Sequence, residues 1–227
     1  MNGTHSRPSP RQPAASGRDA GFDAVAGWYD ALAALVFGRS LRRAQQTALD
    51  AGLPAGAPRV LIIGGGTGWV LGQVLRRRPA ARILYLEASA GMLRRSRAWL
   101  RRHLPQHEAQ VEFRLGTEQD LAGYGQFDAV VAFFFFDLFT AARLRQLLAQ
   151  LHATLLPGAA WLVADFGVGR RWWHRWLLAL MYWFFRHTAG IEARRRPPIE
   201  AGLLRLGLRP APVGTFFGDL VEAVVWQ

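Results

Sequence analysis

Short apolar runs alternate with longer amphipathic ones along most of this chain. The runs at 59–63, 82–86, 127–133 and 160–166 are apolar almost throughout. Strands that read this way are buried on both faces, as in a parallel sheet covered by helices. Between them, 68–78, 89–103 and 140–155 carry apolar residues at helical spacing. Pro79 stops the first of these helices, and Ser89 and Thr140 stand where an N-cap oxygen is wanted for the other two. Pro157 and Gly158 close the third. The run at 110–115 alternates and reads as another strand. A helix over 199–206 is followed by strands over 213–217 and 220–226, joined by Gly218 and Asp219, a hairpin signal. The stretch 22–51 also reads as helical. Strands and helices in this order build β-α-β units. The expected fold is an α/β Rossmann-like three-layer sandwich, with a seven-stranded, mostly parallel sheet and a C-terminal antiparallel hairpin.

Composition refines this picture. The chain has 227 residues, enough for one sizeable α/β domain. Residues 1–20 hold many Ser, Pro and Arg and are expected to form a disordered tail. Residues 21–227 are expected to form a single domain, with an aromatic, Arg-rich helical insertion at about 167–196. The absence of cysteine excludes disulfides and thiolate ligands or nucleophiles. The net charge of +12 invites a nucleic-acid partner. Every basic residue is Arg and none is Lys, however, so compositional bias is the preferred explanation and nucleic acid is disfavoured. No apolar run reaches the ~18–20 residues that span a bilayer. The expected location is the cytoplasm, with peripheral contact at the inner membrane surface as an added option.

The chemistry begins where the first strand ends. It runs directly into Gly64, Gly65, Gly66, Thr67 and Gly68, and a helix follows. Ligands of open α/β sheets bind beyond the carboxyl ends of the strands. Glycines there allow a sharp turn and a close approach to the main chain. The second strand ends in Glu87, about 20 residues further on, the spacing at which an acid reaches ribose hydroxyls. One loop and one carboxylate thus define an adenosine-type site. The dinucleotide pattern G-x-G-x-x-G fails in both registers, because its third small position falls on Trp69 or Leu71. The phosphate loop fails for lack of lysine.

The pattern actually present, VLIIGGGTG at 60–68, resembles motif I of the class I S-adenosylmethionine-dependent methyltransferases. EASAGML at 87–93 resembles their acidic residue and the helix start behind it. LGTEQDL at 115–121 occupies the place of their adenine loop, and FDAVV at 127–131 resembles motif IV. LPGA at 156–159 resembles the turn before strand five. FDAVAGWYD at 22–30 is similar to the N-terminal segment of the ubiquinone and menaquinone branch of small-molecule methyltransferases.

The resemblance implies S-adenosylmethionine as cofactor and methyl transfer as the activity. It places Gly64, Gly65, Gly66, Thr67 and Gly68 along the methionine and ribose, and Glu87 on the ribose hydroxyls. Ala88 and Met92 would pack on the adenine, Thr117 and Glu118 would meet its edge, and Tyr29 would cover the cofactor. Phe133 and Phe134 would flank the transferred methyl. Two positions depart from the family. Ile62 stands where an acid usually precedes the first motif glycine, and Thr117 replaces the usual adenine-loop acid.

The expected acceptor is a small molecule, apolar or ring-containing, suited to the aromatic residues of 133–136 and 170–186. The segment 170–186 reads as a lid helix or as an interfacial helix that meets anionic lipid. Asp137, Asp165, His174 and His187 are candidate bases, and none is assigned as catalytic. No cluster has metal-ligand spacing. The competing readings are a non-catalytic cofactor-binding protein, an aminopropyltransferase-like enzyme using the decarboxylated cofactor, and a nucleic-acid methyltransferase. No residue pattern bears on oligomeric state.

Overall fold

Period-two burial and helical stripes resolve into three layers in the computed structural model, which describes residues 38–167 and 197–227. The disordered tail expected at 1–20, Tyr29 and nearly all of the insertion expected at 167–196 lie outside the described residues. The strands are β1 (Arg59–Ile63), β2 (Arg82–Glu87), β3 (Val111–Leu115), β4 (Phe127–Phe133), β5 (Leu155–Phe166), β6 (Pro210–Phe216) and β7 (Val221–Trp226). The helices are α1 (Ser40–Gly52), α2 (Trp69–Arg77), α3 (Ala90–His103), α4 (Ala141–Ala153) and α5 (Ile199–Arg205). The sheet order is β3-β2-β1-β4-β5-β7-β6. The first five strands run parallel, and β7 pairs antiparallel with both β5 and β6. This is the fold class expected from the pattern.

Alternation along each strand sends residues to opposite faces, and the core divides accordingly. Val60 and Ile62 of β1 join one apolar cluster, with Ala48 and Leu49 of α1, Leu71 and Val74 of α2, and Leu100 of α3. Leu61 and Ile63 join the other, with Leu144, Leu147 and Leu151 of α4 and Ile199 and Leu203 of α5. Among the described residues, three helices therefore cover one face and two the other.

Several boundaries differ from expectation for local reasons. The α4 helix ends at Ala153, with Thr154 as its C-cap, and β5 already begins at Leu155. Pro157 and Gly158, expected to be a turn between helix and strand, lie inside this longer strand. There the β4–β5 register jumps from Phe127↔Leu155 to Ala129↔Ala160, and Gly158 takes a φ of 76°. The β6 strand starts at Pro210, three residues before the expected 213. A sheet edge tolerates the missing N–H of Pro210 and Pro212, because that side of the strand has no ladder to complete. The helix expected over 22–51 is described only from α1 onward, and α1 runs one residue further.

The α2–α3 packing depends on Gly72. Helix propensity favours alanine over glycine by ~1 kcal/mol. A Cβ at Gly72 would lie 2.2 Å from Cη2 of Trp99, whose ring stacks on His103 and lies under the Arg76 guanidinium. Contact outweighs propensity here. Gly72→Ala should lower the melting temperature by a few degrees; a rise in the thermal melt would show that Trp99 yields freely.

Candidate cofactor site

The site forms where the strand order reverses, between β1 and β4. The chain leaving β1 turns through three left-handed glycines: Gly64 at φ 63°, Gly66 at 64° and Gly68 at 99°. Only glycine adopts this region without strain. Neighbours constrain the loop as well. A Cβ at Gly64 would fall 2.4 Å from the Phe135 ring, and one at Gly65 would fall 2.6 Å from the Tyr85 ring. At Gly66 a Cβ would meet nothing within 4 Å. The first two glycines thus let aromatic rings close on the loop, while Gly66 faces open space.

The end of β2 holds this loop. The Gly64 N–H donates to the Leu86 carbonyl at 3.0 Å. The Gly66 N–H donates to Oε2 of Glu87 at 3.1 Å, and the Ser89 N–H donates to Oε1 at 3.0 Å. Glycine loop and carboxylate therefore face one another, although 21 residues separate them. Glu87 is 6% exposed. Burial raises its carboxyl above the ordinary value of 4.5, and the backbone N–H groups of Ser89, Gly66 and Ala88 oppose that shift. Ser89 caps α3 by accepting the Met92 N–H at 3.2 Å. Ala88 is exposed and Met92 half-buried beside the same turn.

The turn after β3 closes another side of the site. The Gly116 N–H donates to the Glu87 carbonyl at 3.0 Å. Thr117 opens a short 3-10 turn, Glu118–Leu121, through a capping box with Asp120. The Thr117 N–H donates to Oδ2 of Asp120 at 2.9 Å. Glu118 is 4% exposed, and its carboxylate is ion-paired with Arg143 of α4.

At the end of β4, Phe133 is buried in the cluster beneath α1–α3. Phe134 takes a left-handed φ of 52° and donates its N–H to the Ala164 carbonyl at 2.7 Å. That turn brings Phe135, not Phe133, onto the glycine loop. Phe135 also packs edge-on against Phe139, with centroids 5.0 Å apart, and both rings are half-buried. Asp137 and Asp165 are buried near the ends of β4 and β5, while His174 and His187 lie outside the described residues. Among the described residues, no group of three or more His, Asp or Glu could hold a metal ion.

The structure brings together Gly64, Gly65, Gly66, Gly68, Glu87, Ala88 and Met92, with Thr117 on the adjoining turn. It turns Glu118 toward Arg143 and Phe133 into the core. Sequence reasoning passed over Tyr85, and it counted Phe135 only within the aromatic run 133–136. Tyr85 sits two residues before Glu87 and so shares its face of β2, a signal available from strand period alone. No sequence signal announces the reversal at Phe134.

Residues 61–160 match the family model for a methyltransferase domain. The match runs from β1 into β5 and takes in the glycine loop and Glu87. No curated protein matches the chain by sequence. Among solved structures it is similar to an O-methyltransferase family protein from Burkholderia thailandensis, with a TM-score of 0.63, 21% identity and 92% of this chain covered. It is similar also to an O-methyltransferase family 2 protein from Planctomyces limnophilus in complex with apigenin, with a TM-score of 0.70, 15% identity and 92% covered. A third is a methyltransferase of calicheamicin biosynthesis in its SAH-bound form, with a TM-score of 0.61, 21% identity and 93% covered. The chain spans 59%, 62% and 60% of the lengths of these three proteins. At such identities the likeness is one of fold. Among the described residues, no helix is long and apolar enough to cross a membrane.

Proposed function

We propose that this methyltransferase-domain protein binds S-adenosylmethionine and transfers its methyl group to a small, apolar or ring-containing acceptor. The observation that carries the reading is the Glu87 carboxylate aimed at the Gly66 N–H, at the carboxyl ends of the neighbouring strands β2 and β1. A buried carboxylate with two oxygens beside a glycine turn suits a ribose diol, and the open space above Gly66 leaves room for the ligand. Gly64, Gly65, Gly66, Thr67 and Gly68 border the methionine and ribose. Ala88 and Met92 flank the adenine with the Thr117 turn. Glu118, held by Arg143, braces that turn.

The cofactor supplies an activated methyl carbon on a sulfonium. The residues of the chain align the acceptor for in-line attack and keep water from the reacting atoms. Phe135 and Phe139 form a half-buried aromatic wall at the end of β4. Such a wall holds a ring by burial. No base is assigned; Asp137 and Asp165 stand nearest by strand position.

The reading extends to the membrane surface through the Trp- and Arg-rich sequence at 170–186. Vesicles of anionic lipid should carry the protein in flotation, and neutral vesicles should not. Equal behaviour with both removes that part.

Calorimetry with S-adenosylmethionine tests the core claim. Binding at micromolar to low millimolar concentration is expected, and none at millimolar concentration overturns it. A labelled-methyl assay against phenolic and quinone-like compounds, RNA and protein then tests the acceptor class. Label only in RNA or protein would refute the small-molecule reading.

A further inference from the structure

The β2 strand offers the glycine loop two side chains, and Glu87 is only one of them. Residues 85 and 87 share a face of the strand. The Tyr85 hydroxyl donates to the Gly66 carbonyl at 2.9 Å. Gly66 is therefore held at both ends, its N–H by Glu87 and its C=O by Tyr85. The Tyr85 ring is fully buried and lies where a Cβ at Gly65 would be 2.6 Å from its Cε2, Cζ and Oη atoms. Ser96 of α3 lies against the same turn, its hydroxyl donating to the Leu93 carbonyl at 2.9 Å. Ser96 packs against Gly68, whose Cβ would lie 3.0 Å from the Ser96 Cα. Burial pushes the phenol well above its ordinary value of 10.0, with the nearby Glu87 charge adding to the effect. Tyr85 thus remains a neutral donor at every working pH.

The two anchors on Gly66 are not equivalent once a ligand arrives. If Glu87 takes ribose hydroxyls, its two oxygens divide their lone pairs between the ligand and the Gly66 and Ser89 N–H groups. Tyr85 touches no solvent and keeps its bond to the Gly66 carbonyl in either state. We propose that Tyr85 is a positioning residue for the cofactor loop, its buried hydroxyl fixing the Gly66 peptide so that the loop is already shaped for the ligand that Glu87 engages. This inference rests on the cofactor reading above. It assigns Tyr85, with Gly65 admitting its ring, a part in cofactor affinity distinct from general stability.

The test compares wild type, Tyr85→Phe and Val74→Ala. The phenylalanine keeps the ring against Gly65 and removes only the hydroxyl. Val74→Ala trims the same core on α2, more than a helical turn beyond the loop. Calorimetry with S-adenosylmethionine and its demethylated product should show binding about five- to tenfold weaker for Tyr85→Phe, the worth of one hydrogen bond. KM for the cofactor should rise by the same factor, with kcat at saturation within about twofold, because the loss falls on binding and not on the reacting atoms. Val74→Ala should lower the melting temperature and leave affinity unchanged. Equal affinities for Tyr85→Phe and wild type overturn the inference and leave the cofactor reading intact. So does a matching loss in Val74→Ala, since affinity would then follow stability alone. A wild type that does not bind overturns both.

Discussion

Replacing Glu87 with alanine should weaken S-adenosylmethionine binding by at least about a hundredfold while leaving the chain folded. A carboxylate accepting two hydroxyls makes two charge-assisted hydrogen bonds, each worth ~1.5–3 kcal/mol. Stability should respond much less. The buried charge is itself a burden in the folded state, since burial raises the Glu87 carboxyl above 4.5. Removing it offsets the loss of an acceptor for the Gly66 and Ser89 N–H groups. The pH dependence separates the two effects. A raised folded-state value means that the native chain takes up the Glu87 proton more readily than the unfolded chain in the window above 4.5. Stability from this group therefore grows as pH falls through that window and is lost as pH rises through the folded-state value. Affinity moves the opposite way, because a protonated carboxyl is a poorer acceptor for a diol. Glu87→Gln should bind weakly and lack that pH trend. Calorimetry and thermal melts across the acidic range measure both, and wild-type affinity that holds constant there would contradict the assignment.

Arg143→Ala should be among the most destabilising single changes outside the apolar core. Glu118 is 4% exposed, and Arg143 is the partner that compensates its charge. Removing one member of a buried pair costs ~3–5 kcal/mol. The Arg143 side chain is 28% exposed, so solvent screens part of the interaction and ~2–3 kcal/mol is expected. That corresponds to a fall in melting temperature of roughly 5–10 °C for a chain of this size. Adding Glu118→Gln to Arg143→Ala removes the stranded charge and should recover most of the loss. A double variant no more stable than the single one would show that Glu118 does not depend on Arg143. Weaker cofactor binding should accompany the single change, because Glu118 opens the turn that follows Thr117.

Much of this protein is legible without coordinates. Four strands that read as buried on both faces and helices with clean apolar stripes leave few arrangements other than a parallel sheet between two helical layers. The glycine loop and Glu87 are legible for the same reason: a strand-to-helix turn at the sheet's carboxyl edge needs glycine, and the next strand must end close by. Boundaries at 153–155 and 210 were less legible, because proline and glycine mark turns by local chemistry, whereas a bulge or a sheet edge accommodates them through neighbours distant in sequence.

The order of apolar and polar residues determined the layers, the strand succession and the acid facing the glycines, since each follows from period, caps and short connections. Only the tertiary structure decided which phenylalanine of 133–136 reaches the loop, that Glu118 answers Arg143, and that Tyr85 shares the hold on Gly66. Those outcomes depend on a single left-handed residue, a helix 25 residues away and the register of two parallel strands. They are set by packing between elements, which local preference does not encode.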